Sequence, residues 1–301
     1  MKISKLEGIV VPMVTPFKSN IEQEVDENKL RNLVNFLIDS GVHSLMPCGG
    51  TGESVSLSQE ENRKIIEITV DEVNGRVPVI GGAKSPGTRN SVNLAKDAKN
   101  AGADIALIIG PYYNKPITKD GYYEHFKTVA EEADIPILVY NLPRMHGEDI
   151  PIDVISRLAK LDNIIGLKNA TSNLLHITEG IKICKENNIS YMQGLAPLFL
   201  PSLFLGAQGS ITSILNVVPT IFVDLYNSFR MGDMKKAREL HFKLLPLMKL
   251  GGSSVTVKAA LDIIGVPTGI PRKPLMPATD NEKKKIKDIL TKLDLVKERR
   301  K

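Results

Sequence analysis

A rhythm constrains this chain more than any single motif. Short apolar runs rich in β-branched residues alternate with stretches of helical spacing, eight times within the first 230 residues. Residues 8–14, 43–48, 77–80, 103–109, 136–140, 164–168, 190–193 and 208–212 read as strands. Between and after them, residues 26–40, a segment opened by Ser58, and residues 88–100, 121–132, 151–159, 174–186, 197–205 and 219–230 read as helices. The punctuation agrees. Gly41 stops the first helix, Ser58 with Glu61 forms a capping box, and Gly81-Gly82 ends the third strand. Pro136 opens the fifth strand, where its missing N–H is tolerated. Eight helix-connected strands fit a closed (β/α)₈ TIM barrel. An open doubly wound sheet would want a glycine-rich dinucleotide fingerprint after its first strand, and residues 12–19 carry none. Residues 233–250, 255–264 and 280–297 add three helices that a barrel does not need. The expected organisation is a catalytic barrel over 1–230 and a C-terminal helical region over 231–301.

Composition narrows the function classes. No run approaches the roughly 20 apolar residues of a membrane span, and Met1-Lys2-Ile3-Ser4-Lys5-Leu6-Glu7 is not followed by an apolar signal core. Two distant cysteines, Cys48 and Cys184, suit free thiols in a reducing, cytoplasmic setting. The five histidines are scattered without HxxxH or CxxC spacing, so neither a metal site nor a cofactor is expected. The charge of +5 resides in the tail, where eleven Lys/Arg oppose five Asp/Glu from Arg272 onward. Ile286, Ile289, Leu290, Leu293 and Val296 recur there at helical spacing. Lys283-Lys284-Lys285 and Arg299-Arg300-Lys301 therefore read as the solvated face of an amphipathic helix, and no nucleic-acid partner is expected.

In a barrel the C-terminal strand ends share one cavity. Here they bring Thr15, then Gly49-Gly50-Thr51-Gly52-Glu53, Pro111-Tyr112-Tyr113-Asn114, Tyr140-Asn141, Lys168-Asn169 and Gly209-Ser210-Ile211-Thr212. One lysine, several phenols and several hydroxyls converge, with no carboxylate pair beside them. Lys168 follows the apolar run Asn163-Ile164-Ile165-Gly166-Leu167. A partly desolvated lysine loses its proton readily and attacks carbonyls. Gly49-Gly50-Thr51-Gly52 lacks a Walker A ending. It suits a tight turn whose N–H groups hold a carboxylate, such as that of a 2-oxo acid. The ketone of such an acid can form an imine with Lys168, and Tyr140 on the next strand can move protons.

Four motifs in order carry a resemblance over nearly the whole chain: Gly49-Gly50-Thr51-Gly52-Glu53, Pro111-Tyr112-Tyr113, Tyr140-Asn141-Leu142-Pro143 and Gly166-Leu167-Lys168. The chain resembles the dihydrodipicolinate synthase and N-acetylneuraminate lyase family of class I pyruvate-handling enzymes. The resemblance implies Lys168 as the imine lysine and Tyr140 as the proton-transfer tyrosine. It implies Thr51 in the relay and Tyr113 reaching into a neighbouring subunit's site. It further implies Gly50 and Thr51 at the pyruvyl carboxylate, a substrate contact from the Ile211 carbonyl, and Gly194 among the substrate-binding positions. Pyruvate, an aldehyde or 2-oxo acid as the other reactant, and a homo-oligomer, a tetramer above all, are the implied partners.

Three departures bear on the reaction. Gly50 stands where the family usually has a hydroxyl. Met145 stands where a synthase places the arginine that grips a second carboxylate, with Arg144 one residue away. Asn169 replaces an acidic residue. Asn169, Thr171, Ser172, Thr212 and Ser213 are instead polar partners suited to a polyol chain. On this reading the expected reaction is cleavage of a 2-oxo-3-deoxy sugar acid, such as 2-keto-3-deoxygluconate, into pyruvate and an aldehyde. The alternatives are 4-hydroxy-tetrahydrodipicolinate synthase, with Arg144 or His146 taking the arginine's role, a sugar-acid dehydratase and an N-acetylneuraminate lyase.

Overall fold

The computed structural model describes residues 5–113 and 115–296. Asn114, the first four residues of the N-terminal reading, the end of the last expected helix and Arg299-Arg300-Lys301 lie outside the described residues. Eight parallel strands form the sheet: β1 Gly8–Pro12, β2 Ser44–Met46, β3 Ile80–Gly82, β4 Ile105–Ile109, β5 Ile137–Asn141, β6 Ile164–Asn169, β7 Ser190–Gln193 and β8 Gly209–Ser210. Each pairs with its neighbour in sequence, and β1 pairs with β8. A parallel bridge between Leu45 and Val79 joins β2 to β3, so the sheet closes into the expected (β/α)₈ barrel.

The helices follow the sequence closely. They are α1 Glu27–Asp39, α2 Gln59–Val73, α3 Thr88–Asn100, α4 Lys119–Glu132, α5 Pro143–His146, α6 Ile152–Leu158, α7 Leu174–Glu186, α8 Phe199–Leu205 and α9 Pro219–Arg230. Beyond the barrel come α10 Met234–Leu250, α11 Ser254–Ile263 and α12 Asp280–Lys292. Local chemistry explains the starts and faces. The Asp26 side chain caps α1 by accepting from Lys29 N–H, and the buried residues Leu30, Leu33, Val34 and Leu37 follow the helical period. The capping box of Ser58 and Glu61 forms as expected at α2. On α12 only Ile286 and Leu290 are buried while Lys283, Lys284 and Lys285 are exposed, the expected amphipathic pattern.

Two cores result. One lies between strands and helices and runs on into the C-terminal region through Leu244, Leu247, Leu261 and Leu290. The other fills the barrel interior with Val10, Met46, Ile80, Leu107, Leu138, Tyr140, Met192 and Ile211. Both cysteines are free and buried, and no helix among the described residues is long and apolar enough to cross a membrane.

The third strand departs from expectation. It runs over Ile80–Gly82, not 77–80, because Gly81-Gly82 continues the strand and does not end it. A Cβ at Gly82 would lie 2.1 Å from the Cys48 carbonyl oxygen, so only glycine allows β3 to approach the loop after β2. The short helix α5, immediately after the Tyr-Asn-Leu-Pro motif, was not expected either. Pro143 supplies its first-turn residue.

Candidate active site

Strand register sets the site. β5 and β6 pair Ile137 with Ile164, but the next partners are Leu138 and Gly166, so Ile165 is an extra residue at a bulge. After the bulge Tyr140 lies opposite Lys168 and Asn141 opposite Asn169. Leu167 points to the helix layer, while Ile165 belongs to the barrel interior. The Lys168 ammonium nitrogen sits 4.0 Å from the centroid of the Tyr140 ring. Both residues line a cavity of about 290 Å³ with Gly50, Thr51, Lys84, Arg144, Met145, Gly194, Ile211, Thr212 and Ser213 among its walls.

Lys168 is 4% exposed. Burial, aided by the nearby positive charge of Lys84, lowers its pKa to about 7 from the ordinary lysine range. At neutral pH a substantial fraction is therefore free amine, the form that adds to carbonyls. Burial pushes the Tyr140 phenol well above its ordinary range, with Arg144 opposing in part. Tyr140 thus stays protonated and can lend a proton.

The glycine-rich loop after β2 is held from three sides. Thr15 Oγ1 donates to the Gly52 carbonyl at 2.7 Å, and Ser254 Oγ donates to the Thr51 carbonyl at 2.9 Å. Thr51 Oγ1 and Ser213 Oγ lie 2.7 Å apart, so the hydroxyl partner of Thr51 comes from beyond β8. Beneath the loop, Lys258 Nζ and Glu53 Oε1 form an almost fully buried ion pair at 2.7 Å. The other Glu53 oxygen accepts from Arg272 N–H at 2.7 Å. Gly252, Ser253, Ser254 and Leu275 complete the cavity wall, so the C-terminal region contributes to the site directly.

Many residues expected at the site line the cavity, but Asn169, Thr171, Ser172, His146 and Tyr113 do not. Asn169 is fully buried and does not line the cavity. Its Oδ1 accepts from Asn141 Nδ2 at 2.8 Å and from Thr171 N–H at 3.2 Å, and its amide nitrogen meets His176 Nδ1 at 3.1 Å. Thr171 Oγ1 donates in turn to Asp149 at 2.9 Å. This network locks the ends of β5 and β6 together and leaves neither Asn169 nor Thr171 for a polyol chain. His146 is 1% exposed and packs its ring against Tyr122. Burial holds its pKa down at about 4, so it is neutral and offers no cation to a carboxylate. Tyr113 is 90% exposed, outside its own cavity, with a positive φ of 77°.

The expectation of one lysine at the mouth needs correction: Lys84 stands there too. Ending β3 at Ile80 placed Lys84 four residues past the strand, out of reach of the strand-end rule. It lies two residues past Gly82. Arg144 was expected to be one position off, yet it lines the cavity beside Met145.

Comparison with known proteins agrees with this geometry. The sequence profile described as the Dihydrodipicolinate synthetase family matches residues 5–293. The chain is 41% identical to a 4-hydroxy-tetrahydrodipicolinate synthase of Syntrophus aciditrophicus over 293 residues, 96% of this chain and 99% of that one. It is also similar to the crystal structure of a dihydrodipicolinate synthase from Aquifex aeolicus, at 39% identity and a TM-score of 0.91, covering 96% of this chain and 99% of that one. A synthase from Acinetobacter baumannii, solved in complex with pyruvate, superposes with a TM-score of 0.91 at 31% identity, covering 97% of this chain and 100% of that one.

Proposed function

Because the chain belongs to the dihydrodipicolinate synthetase family, we propose that it condenses pyruvate with an aldehyde bearing its own carboxylate, as a 4-hydroxy-tetrahydrodipicolinate synthase does with aspartate semialdehyde. Family members are class I, Schiff-base lyases, and this chain is a lysine-imine enzyme of that class. The synthase reading replaces cleavage of a 2-oxo-3-deoxy sugar acid as the main one, since the similar curated relatives carry the synthase name. Within the molecule, the observation that carries it is Arg144: its guanidinium residue lines the cavity of Lys168 and Tyr140 from the adjacent position, where Met145 cannot pair a carboxylate. The burial of Asn169 and Thr171 in their own network removes two of the polyol partners that favoured the sugar acid.

The neutral amine of Lys168 adds to the pyruvate ketone, water leaves, and the protonated imine draws electrons from C3. Loss of a C3 proton gives an enamine, which forms the new carbon–carbon bond with the aldehyde and regenerates the imine. Water, or the amine of aspartate semialdehyde, then displaces Lys168 as the free amine. Tyr140, which lines one cavity with the hydrogen-bonded pair Thr51 and Ser213, would carry protons between imine, water and the new hydroxyl.

Steady-state assays with pyruvate plus aspartate semialdehyde, 2-keto-3-deoxygluconate and N-acetylneuraminate test the choice. Condensation is expected to exceed either cleavage by at least about a hundredfold in kcat/KM, and the reverse ranking would reject the proposal. Arg144→Ala is expected to raise KM for the semialdehyde tenfold to a hundredfold, roughly the 1.5–3 kcal/mol of a hydrogen bond to a charged group. Pyruvate trapping on Lys168 should be unaffected by that substitution.

The same reading extends to a homo-oligomer, a tetramer above all. A large aromatic left 90% exposed with a left-handed backbone at Tyr113 suits a side chain that finishes a neighbour's site. Light scattering should give an oligomer at assay concentration, and Tyr113→Ala should lower activity at unchanged secondary structure. A fully active monomer would contradict this.

A further inference from the structure

Lys84 takes part in no step described above, yet it stands at the reacting centre. It is partly buried and has no hydrogen-bond or ion-pair partner among the described residues. It lines the same cavity as Lys168, Tyr140, Gly50 and Thr51. A Cβ built on Gly50 would come 3.4 Å from Lys84 Nζ, so the ammonium stands in contact with the space beside Gly50 where a side chain would begin. A hydroxyl residue at position 50 would reach further and crowd it. Burial lowers the Lys84 pKa to about 8, which leaves the group mostly charged at neutral pH. An unpaired ammonium in a half-buried cavity is costly unless an anion arrives to meet it. The 2-oxo acid brings one, bonded directly to the carbon that Lys168 attacks.

We propose that Lys84 pairs with the carboxylate of the 2-oxo acid beside Gly50, one cation standing in for one missing hydroxyl, and so selects 2-oxo acids over neutral carbonyl compounds. This rests on the lysine-imine reading of Lys168. Lys84 is then a specificity-determining residue, and its charge secondarily helps keep Lys168 unprotonated.

Borohydride trapping on Lys168, followed by intact mass, tests it with two ketones of similar size: pyruvate, and acetone, which has no carboxylate. Any effect of Lys84 on the protonation of Lys168 acts on both alike, so the pyruvate-to-acetone ratio isolates the carboxylate contact. Lys84→Met is expected to lower that ratio tenfold or more at subsaturating ketone. Gly50→Thr with Lys84→Gly, which exchanges the cation for a hydroxyl, should recover part of it. Equal changes for both ketones, or none, would overturn the proposal. Should Lys84→Met fail to fold, Lys84→Gln carries the same comparison. Titration of pyruvate into Lys168→Ala, with and without Lys84→Met, separates this failure from failure of the imine reading. Pyruvate binding there needs no imine, so its dependence on Lys84 supports the pairing and its indifference to Lys84 counts against it. Absence of any wild-type adduct sinks the imine reading alone.

Discussion

Lys168→Ala removes pyruvate trapping and lowers turnover on the order of 10⁴-fold or more, the scale on which loss of a covalent nucleophile acts. The fold survives, because the side chain holds nothing together: its nitrogen rests over the Tyr140 ring and no described residue forms an ion pair with it. The variant should even gain stability in a pH-dependent way. The folded pKa of Lys168, about 7, lies below its ordinary 10.5. Between these values the unfolded chain binds more protons than the folded one, so the wild type gains stability as pH rises through that window. Below about pH 7 the cost of burying the charge is present in full. Thermal melts should therefore show the advantage of Lys168→Ala over wild type largest at pH 6 to 7 and shrinking toward pH 10, offset by a constant loss of packing. In the wild type, the trapping rate should rise through about pH 7 and level off. A pH-independent difference in melting, or trapping that persists in the variant, would contradict the assignment.

Tyr140→Phe is the second large effect. Phenylalanine keeps the ring that fills the barrel interior and faces the lysine, so the change isolates the hydroxyl. Loss of a positioned proton carrier costs about 10²- to 10⁴-fold. The drop should fall mainly on kcat, with pyruvate KM changing little, since the carboxylate is held elsewhere in the cavity. Stopped-flow or quench experiments should find imine formation slowed. A Tyr140→Phe enzyme within threefold of wild type would remove Tyr140 from the proton path.

The barrel was legible because its alternation is written into local sequence. The spans of α3 and α7 coincide with the runs read from spacing and caps alone. Lys168 and Tyr140 were legible for a related reason: each is the polar end of an apolar strand. The misreadings came from contacts that no local pattern reports. Gly81-Gly82 looked like a turn, but Gly82 serves a close approach to the Cys48 carbonyl, 34 residues away in sequence yet a strand apart in space, and the error hid Lys84. Asn169 looked like a cavity residue, but Asp149 and His176 draw its surroundings into a buried network. Serines 253 and 254 looked like a helix break, whereas the fold returns them to the cavity wall.

The extra residue at Ile165 works as a phase shifter. Upstream of it β6 keeps one parity, with Ile164 outward and Ile165 inward, and downstream it keeps the other, with Leu167 outward and Lys168 inward. A chain of this design can exchange one apolar residue for another at 164, 165 and 167, with Gly166 held by a Cβ approach of 2.7 Å to the Ser190 carbonyl oxygen, but it cannot gain or lose a residue. A single deletion would leave every side chain there chemically intact and turn Lys168 into the helix layer. Length, more than composition, is what this stretch of the strand has to conserve for the chemistry to exist.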